Sequence, residues 1–330
     1  MIKIVNGKNK SLHDLKEEYF ELLNPQKNDG RYHMTNSIYG RISRFIRKRR
    51  SKNDIYYNYI IANLKELLIG EPTILLKHIR KLKKIVRNND LNINRINLNL
   101  SFIFNYKSFR KGKIAKWLIE ELNINTCPYC NRQYIFAIKE NDKTKLFCDL
   151  DHYFKQSDYP VLSLSFYNLI PSCTSCNSRT KHTKVFSLKT HIHPYLDSFN
   201  DILVFSTDIK DSKIFFDDVD NFDIKLVKNK FTKPCDLNYH RAKKTAEDFN
   251  LEELYNKHKD IVLELIQKNI IYDDNYVTEL YNNYYKIFEN KDDVYKMIIG
   301  NYVNDTDLSL RPLAKFTKDI AKEFKLLLNY

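Results

Sequence analysis

The apolar positions of the first 122 residues recur every three or four places, as they do on one face of a helix. This spacing predicts helices over residues 9–24, 37–50, 54–69, 73–87 and 107–122. Ser11 is the expected N-cap of the first helix, and Asn24-Pro25 ends it. The asparagine-rich residues 88–99 are expected to be a linker or, because their apolar positions alternate, a strand.

The pattern changes after residue 122. Short strands are predicted over residues 132–138 and 145–149, a helix is predicted from Asn177 to about Lys184, and further short strands are predicted within 199–231. From residue 236 to 330 the chain is expected to be helical, with breaks near 269–275 and 300–309 and a last helix opened by Arg311-Pro312. The fold class is therefore α+β and predominantly helical. The expected domains are 1–122, 123–198 and 199–330.

Two Cys-x-x-Cys pairs stand near the middle of the chain, and 42 residues separate the pairs. They consist of Cys127, Cys130, Cys173 and Cys176. Each pair can turn both sulfurs toward one ion, and two pairs complete the tetrahedral thiolate shell that Zn²⁺ prefers. Two disulfides, or four unrelated core cysteines, are the alternatives. The spacing favours a structural zinc site, whereas Cys148 and Cys235 lack a partner at ligand spacing and are expected only to pack.

A second series of residues lies between and just after the cysteine pairs. Asp151-His152 follows an expected strand, Asn168 follows an apolar run, and Asn177 comes directly after the last cysteine of the second pair. A histidine beside an aspartate on a strand, facing an asparagine on a helix, is how a one-metal nuclease is assembled. The imidazole takes a proton from water, and the Asp and Asn hold Mg²⁺.

This series resembles the HNH endonuclease family, which has a ββα-metal fold. The resemblance implies that His152 is the general base and that Asp151 and Asn177 bind a catalytic Mg²⁺ or Mn²⁺. It also implies that Asn168 braces the loop that carries the base. Some of these nucleases have a third metal ligand one helical turn after the last motif residue, where this chain has Lys181. His182 and His193 are the candidates for that role.

Four longer phrases are similar to the HNH subunit of Septu-type anti-phage defence systems, and related subunits accompany some retrons. They are CPYCNRQYI, DLDHYFKQSDYPVLSLSFYNLIPSCTSCNS, HPYLDSF and RPLAKFTKDI. The resemblance covers residues 123–325 and implies an effector nuclease that works with an SMC-like ATPase. The chain has no G-x-x-x-x-G-K-[ST] motif and so is not that ATPase by this criterion. We expect the complex to form through the C-terminal helical region.

The basic charge of the chain lies ahead of this region. Residues 1–122 hold 26 Lys and Arg against 11 Asp and Glu, whereas residues 123–330 hold 29 against 30. The densest cluster lies on the second predicted helix and contains Arg44, Arg47, Arg49 and Arg50. This cluster, with Arg179 and Lys181, is expected to contact phosphate; a solvated lysine-rich face is the alternative for the charge excess.

These observations leave two classes of function open. The leading one is a nuclease acting on DNA, with tRNA or another RNA as the alternative target. The other is a non-catalytic zinc module that binds nucleic acid or a partner protein. No apolar run approaches the ~20 residues that a membrane span needs, and no signal-peptide pattern is present at the start of the chain. We therefore expect a cytoplasmic protein without a membrane partner. Asp217, Asp218, Asp220 and Asp223 lack the spacing of a calcium loop and are expected to be turn residues.

Overall fold

The chain folds as an α+β structure in which helices predominate and the sheets are small. The computed structural model describes residues 2–5, 9–49, 53–140, 143–200, 202–209, 222–230, 232 and 236–327. Its helices are α1 (Leu12–Leu23), α2 (Ile38–Arg49), α3 (Asp54–Ala62), α4 (Leu64–Ile69), α5 (Pro72–Asn88), α6 (Ile93–Phe104), α7 (Tyr106–Lys111), α8 (Lys113–Leu122), α9 (Leu237–Asp248), α10 (Leu251–Tyr255), α11 (Lys259–Ile271), α12 (Asp274–Asn283), α13 (Lys291–Ile299) and α14 (Ala314–Glu323). A π-helix spans Ser175–Lys181.

The helices of the first 122 residues follow the apolar periodicity with two interruptions and one correction. Ser11 caps α1 as predicted, its side chain accepting the Asp14 N–H at 3.2 Å. The predicted helices 54–69 and 107–122 are each divided in two, at Asn63 and at Gly112. The interpretation of residues 88–99 as a linker holds for 89–92, which connect α5 to α6. From Ile93 onward both the linker and the strand interpretation are wrong, because α6 begins there. Asn92 caps that helix by accepting the Arg95 N–H.

Three antiparallel two-stranded sheets are formed by the described residues. The strands are β1 (Ala137–Glu140), β2 (Lys143–Leu146), β3 (Asp149–His152), β4 (Leu169–Ser172), β5 (Leu203–Thr207) and β6 (Ile224–Lys228), and they pair in that order. The predicted strand 132–138 overlaps β1 only at its end, and the predicted strand 145–149 is shared between β2 and β3. The register of β3 and β4 sets Asp149 opposite Ser172 and His152 opposite Leu169.

The C-terminal part is helical, as predicted, and the two expected breaks are present. Two further breaks, between α9 and α10 and at residues 284–290 between α12 and α13, were not expected. Helix α11 ends at Ile271 and α13 ends at Ile299, while the last helix begins at Ala314, slightly after Arg311-Pro312. Several sequence predictions concern residues outside those that the structure describes: a strand near 214–216, the acidic residues Asp217, Asp218 and Asp220, Cys235, and Arg50.

The apolar core connects the N-terminal helices to the cysteine-bounded region. Tyr19 of α1 packs its ring against Phe109, Trp117 and Phe166, and its hydroxyl donates to the Leu164 carbonyl at 3.0 Å. One cluster of buried apolar side chains extends from Ile4 to Leu327. The division of the chain into three domains stays a prediction.

No helix in the described parts of the chain combines the length and the apolar character that crossing a bilayer requires.

Candidate active site and metal centre

The two Cys-x-x-Cys pairs meet in the structure. The first pair lies in a turn whose ends are joined by a bridge between Thr126 and Tyr134. In the second pair, Cys173 directly follows β4 and Cys176 lies in the π-helix. All four cysteines are buried, and their sulfurs lie within 4.8 Å of one another. The 3.9 Å between the sulfurs of Cys130 and Cys173 suits two thiolates that share an ion about 2.3 Å from each. The cluster could therefore hold a zinc ion.

Backbone hydrogen bonds favour the thiolate form at two of the four cysteines. The backbone N–H of Arg132 donates to the sulfur of Cys130, and that of Cys176 donates to the sulfur of Cys173, both at 3.4 Å. Hydrogen bonds from Cys127 lower the pKa of Cys130, whereas burial raises the pKa of Cys127. Four buried thiols therefore do not ionise alike, and a bound Zn²⁺ would resolve the difference by replacing their protons. Cys148 lies outside the cluster.

Strand β3 and the π-helix face each other through two polar pairs. Asp149 and Asp151 are two residues apart in a strand and so point to the same side of it. Asn177 and Lys181 are four residues apart in the helix, which also brings them to one side. The amide of Asn177 donates to Asp149 Oδ2 at 3.1 Å, and the ammonium of Lys181 donates to Asp151 Oδ1 at 2.9 Å.

Both carboxylate oxygens of Asp151 are occupied. Lys181 holds Oδ1, and the hydroxyl of Tyr129 donates to Oδ2 at 2.6 Å. The side chains of Asp151 and Lys181 are only 6% and 5% exposed. Burial and the charge of Asp151 raise the pKa of Tyr129 well above its usual value, so the hydroxyl keeps its proton. Lys181 also donates to the backbone carbonyl of His152 at 2.6 Å, which ties the pair to the residue that follows Asp151.

His152 is a neutral imidazole, and one of its two ring nitrogens is available to accept a proton. Its Nε2 lies 3.0 Å from the Ser163 carbonyl, and because a carbonyl only accepts, Nε2 carries the proton. Nδ1 is then the proton acceptor. Burial lowers the pKa of His152 to about 4, so the ring is neutral at pH 7. The ring of Tyr106 packs edge-on against it with centroids 4.4 Å apart, and the Tyr106 hydroxyl donates to the Leu150 carbonyl.

Asn168 closes the loop between β3 and β4. Its side-chain carbonyl accepts the Phe154 N–H at 2.7 Å. Its amide donates to the carbonyls of Phe154 and Leu162 at 3.2 and 2.9 Å. The fully buried side chain thereby joins the start of the loop to its middle, next to the strand end that carries His152.

Sequence reasoning missed three contributors to this site. The sequence could have identified Asp149, which forms an ion pair with Arg110 of α7, because it precedes Asp151 by two positions in a strand. Tyr106 and Arg110 are four residues apart in a helix and face the site together. No local pattern connects that helix to β3, since the contact spans 39 residues of sequence.

The remaining candidate ligands do not belong to a group of side chains close enough to share an ion. Arg179 and His182 are exposed, at the π-helix and just after it. His193 is fully buried, its Nδ1 accepts the Tyr195 N–H, and burial lowers its pKa to about 3. Among the described residues, the four cysteines are the one group of three or more Cys, His, Asp or Glu side chains close enough to share an ion.

The predicted basic cluster of α2 is partly used inside the protein. The guanidinium of Arg44 donates to the Met34 carbonyl at 2.5 Å, and that of Arg41 donates to the Ile103 carbonyl at 2.7 Å. Arg47 and Lys48 are exposed. Arg49 is the last residue of α2, and its side chain, like Arg50, lies outside what the structure describes.

Comparison with protein-family models, with curated proteins and with solved structures finds no match to this chain. The functional assignment therefore depends on the chemistry of the site.

Proposed function

We propose that the chain is a metal-dependent HNH-type endonuclease that hydrolyses phosphodiester bonds, with DNA as the favoured substrate, and that it is the effector of an anti-phage defence system. The observation that carries the nuclease assignment is the state of His152. It is a neutral imidazole with a fixed tautomer, at the end of a strand whose Asp149 carboxylate accepts a hydrogen bond from Asn177. A binding module would have no use for that arrangement.

The order of elements supports the same proposal. Strands β3 and β4 pair as a hairpin, and the π-helix follows β4 within three residues. This is the strand–strand–helix order of the ββα-metal fold implied by the resemblance. The four-cysteine cluster spans the helix and the turn before β1, and since four thiolates close the zinc shell, a zinc ion there would be structural.

In this proposal His152 Nδ1 accepts a proton from the attacking water, which converts the water into a nucleophile. Asn177 and the Asp149 carboxylate offer the oxygen ligands that Mg²⁺ prefers, and Mg²⁺ commonly binds proteins through one or two carboxylates with waters completing its shell. Asp151, the ligand that the resemblance implied, has both carboxylate oxygens taken by Tyr129 and Lys181. The ion, when bound, supplies charge neutralisation at the departing oxygen. Lys181 and Asn168 hold the strand end and the loop in place around His152.

The test is Mg²⁺-dependent cleavage of plasmid DNA by the zinc-loaded protein. His152→Ala is expected to lower cleavage by at least about 100-fold, the usual contribution of a general base. His13→Ala, which changes an exposed histidine of α1, is the control and is expected to keep the activity. Zinc content and thermal unfolding verify that both variants are folded. Plasmid cleavage by His152→Ala at the parental rate would contradict the assignment, and cleavage of tRNA alone would assign RNA as the target.

The proposed partner is an SMC-like ATPase, as the resemblance implies. The C-terminal helical region exposes large apolar side chains, including Ile270, Ile271 and Met297 in helices and Tyr285 and Ile287 in the turn between α12 and α13. Ile287 and Met297 line one open surface cleft, and a contiguous apolar surface favours a protein contact. The expected result is co-elution of the two co-expressed proteins, and separate elution would contradict the partnership without bearing on cleavage.

A further inference from the structure

The two aspartates of β3 differ in how easily their partners can leave. Asp151 is held by Tyr129 and Lys181, which are both buried, so moving Lys181 away would leave a buried ammonium without its carboxylate. Asp149 is held by Asn177 and by Arg110, whose side chain is 50% exposed. The Arg110 guanidinium can therefore turn into solvent or toward a ligand, and only Asp149 can exchange its cation at low cost.

Because α7 is fixed beside β3, the exchange of cations at Asp149 moves only the Arg110 side chain. Tyr106, one turn before Arg110, packs on His152 and donates to the Leu150 carbonyl at 2.7 Å. These contacts fix the helix beside β3 while the long arginine side chain remains free to move. Lys107 and Lys111 on the same helix are exposed, so positive charge extends outward from the site.

We propose that Arg110 occupies Asp149 in the absence of a divalent ion and moves to the substrate phosphate when the ion binds to Asp149 and Asn177. The inference rests on the proposed nuclease function and adds that metal binding and nucleic-acid binding are coupled. A divalent ion and a guanidinium repel each other at one carboxylate, so Arg110 opposes binding of the ion alone. A phosphodiester relieves that repulsion, because arginine binds phosphate through two parallel hydrogen bonds. Metal and nucleic acid therefore strengthen each other's binding, and by linkage the two effects are equal.

The experiment measures Mn²⁺ affinity of the full-length, zinc-loaded protein by calorimetry, with and without duplex DNA. His152→Ala serves as the background, so that the DNA stays intact. In that background DNA is expected to tighten Mn²⁺ binding by about 10-fold, within the usual range of coupling between sites. Arg110→Gln is expected to tighten Mn²⁺ binding in the absence of DNA by at least about 3-fold and to remove the coupling. Arg110→Lys keeps the charge and is expected to preserve part of the coupling.

Two further variants complete the test. Arg87→Gln changes an exposed arginine in the last turn of α5 and is expected to leave Mn²⁺ affinity and coupling as in the background. Asp149→Asn is expected to weaken Mn²⁺ binding at least about 10-fold, because a carboxylate ligand is lost. If that variant loses its zinc, the double variant Asp149→Asn/Arg110→Gln replaces it, since it leaves no unpaired charge at the site.

The proposal is overturned if Arg110→Gln retains the coupling of the background, or if Asp149→Asn binds Mn²⁺ as the background does. Neither measurement requires cleavage. Loss of cleavage in His152→Ala with unchanged coupling in Arg110→Gln would therefore leave the nuclease proposal standing and remove this one. If the coupling depended on Arg110 but the protein cleaved no nucleic acid, this proposal would stand and the nuclease proposal would be removed.

Discussion

The side-chain carbonyl of Asn131 accepts the backbone N–H of Lys315 at 3.1 Å, across 184 residues of sequence. The amide of the same side chain donates to the carbonyl of Leu308 at 3.0 Å, and the Asn131 backbone carbonyl accepts the Leu313 N–H at 2.6 Å. Asn131 directly follows Cys130 and has a left-handed backbone, with φ +51°. The first cysteine turn and the segment before α14 are therefore one packed unit.

The first prediction concerns this contact. Asn131→Gly is expected to lower the free energy of unfolding by about 3 kcal/mol, because glycine tolerates the left-handed backbone and only the hydrogen bonds of the side chain are lost. Asn131→Ala is expected to cost about 1 kcal/mol more, since alanine is strained at positive φ. Urea unfolding gives both values. Equal stability of the glycine variant and the parent would show that the side chain contributes nothing.

The second prediction is that zinc holds the cysteine pairs together. The protein is expected to bind one zinc per chain, and Cys173→Ser is expected to lose the metal and much of its protection from proteolysis. Metal binding of this kind contributes directly to folding. Cys148→Ser is the control, because Cys148 lies outside the cluster. Native mass spectrometry reports the metal, and a zinc-loaded Cys173→Ser protein would contradict the prediction.

The sequence predicted which residues belong to the candidate site better than it predicted which residues they contact. The spacing of the cysteines was sufficient to predict that four thiols meet, because two Cys-x-x-Cys turns provide the four ligands that a tetrahedral ion requires. For Asn177 the resemblance implied Asp151 as the co-ligand, whereas the structure pairs its amide with Asp149. Which of two carboxylates on one strand face meets a helix depends on how the helix packs, and no local pattern encodes that.

The fold shows the same limit. Alternating apolar residues suggested a strand within 88–99, but Ile96, Leu100, Ile103 and Phe104 are the buried residues of α6 and recur at helical spacing. Two features are tertiary contacts: the approach of α7 residues to the site and the contact between Asn131 and Lys315. They follow from packing between distant segments, which composition and periodicity do not specify.

The third prediction concerns the buried ion pair of Lys181 and Asp151. Lys181→Met is expected to lower the free energy of unfolding by about 3 kcal/mol, because it leaves a buried carboxylate without its cation. The double variant with Asp151→Asn is expected to be more stable than the sum of the two single changes by at least about 1 kcal/mol. The partly exposed pair of Lys268 and Glu264 is the control, with an expected coupling of less than about 0.5 kcal/mol. Additive effects at Lys181 and Asp151 would rule out the coupling.

The fourth prediction separates the two uses of arginine in α2. Arg44→Gln is expected to lower the unfolding temperature, because its guanidinium holds the Met34 carbonyl. Arg47→Gln is expected to leave the unfolding temperature unchanged and to weaken DNA binding. Each lost phosphate contact lowers the slope of log affinity against log salt by about 0.9 on duplex DNA. Fluorescence anisotropy across a salt series measures that slope, and an unchanged slope in Arg47→Gln would locate the phosphate contacts elsewhere.

The last prediction is an acid-dependent loss of stability that depends on His193. The ring packs against Tyr153, and its Nδ1 accepts the Tyr195 N–H. Burial, with a smaller contribution from the charge of Arg241, lowers the pKa of His193 from its usual 6.5 to about 3. Between these two values the unfolded chain binds the proton and the folded chain does not. Stability from this group is therefore complete above pH 6.5 and falls as the pH decreases toward 3, by up to about 1.4 kcal/mol per pH unit. His193→Asn retains an acceptor for Tyr195 and is expected to show a smaller decline between pH 7 and 5 than the parent in urea unfolding, with His182→Asn as the exposed control. The same decline in His193→Asn as in the parent would mean that the proton is taken up elsewhere.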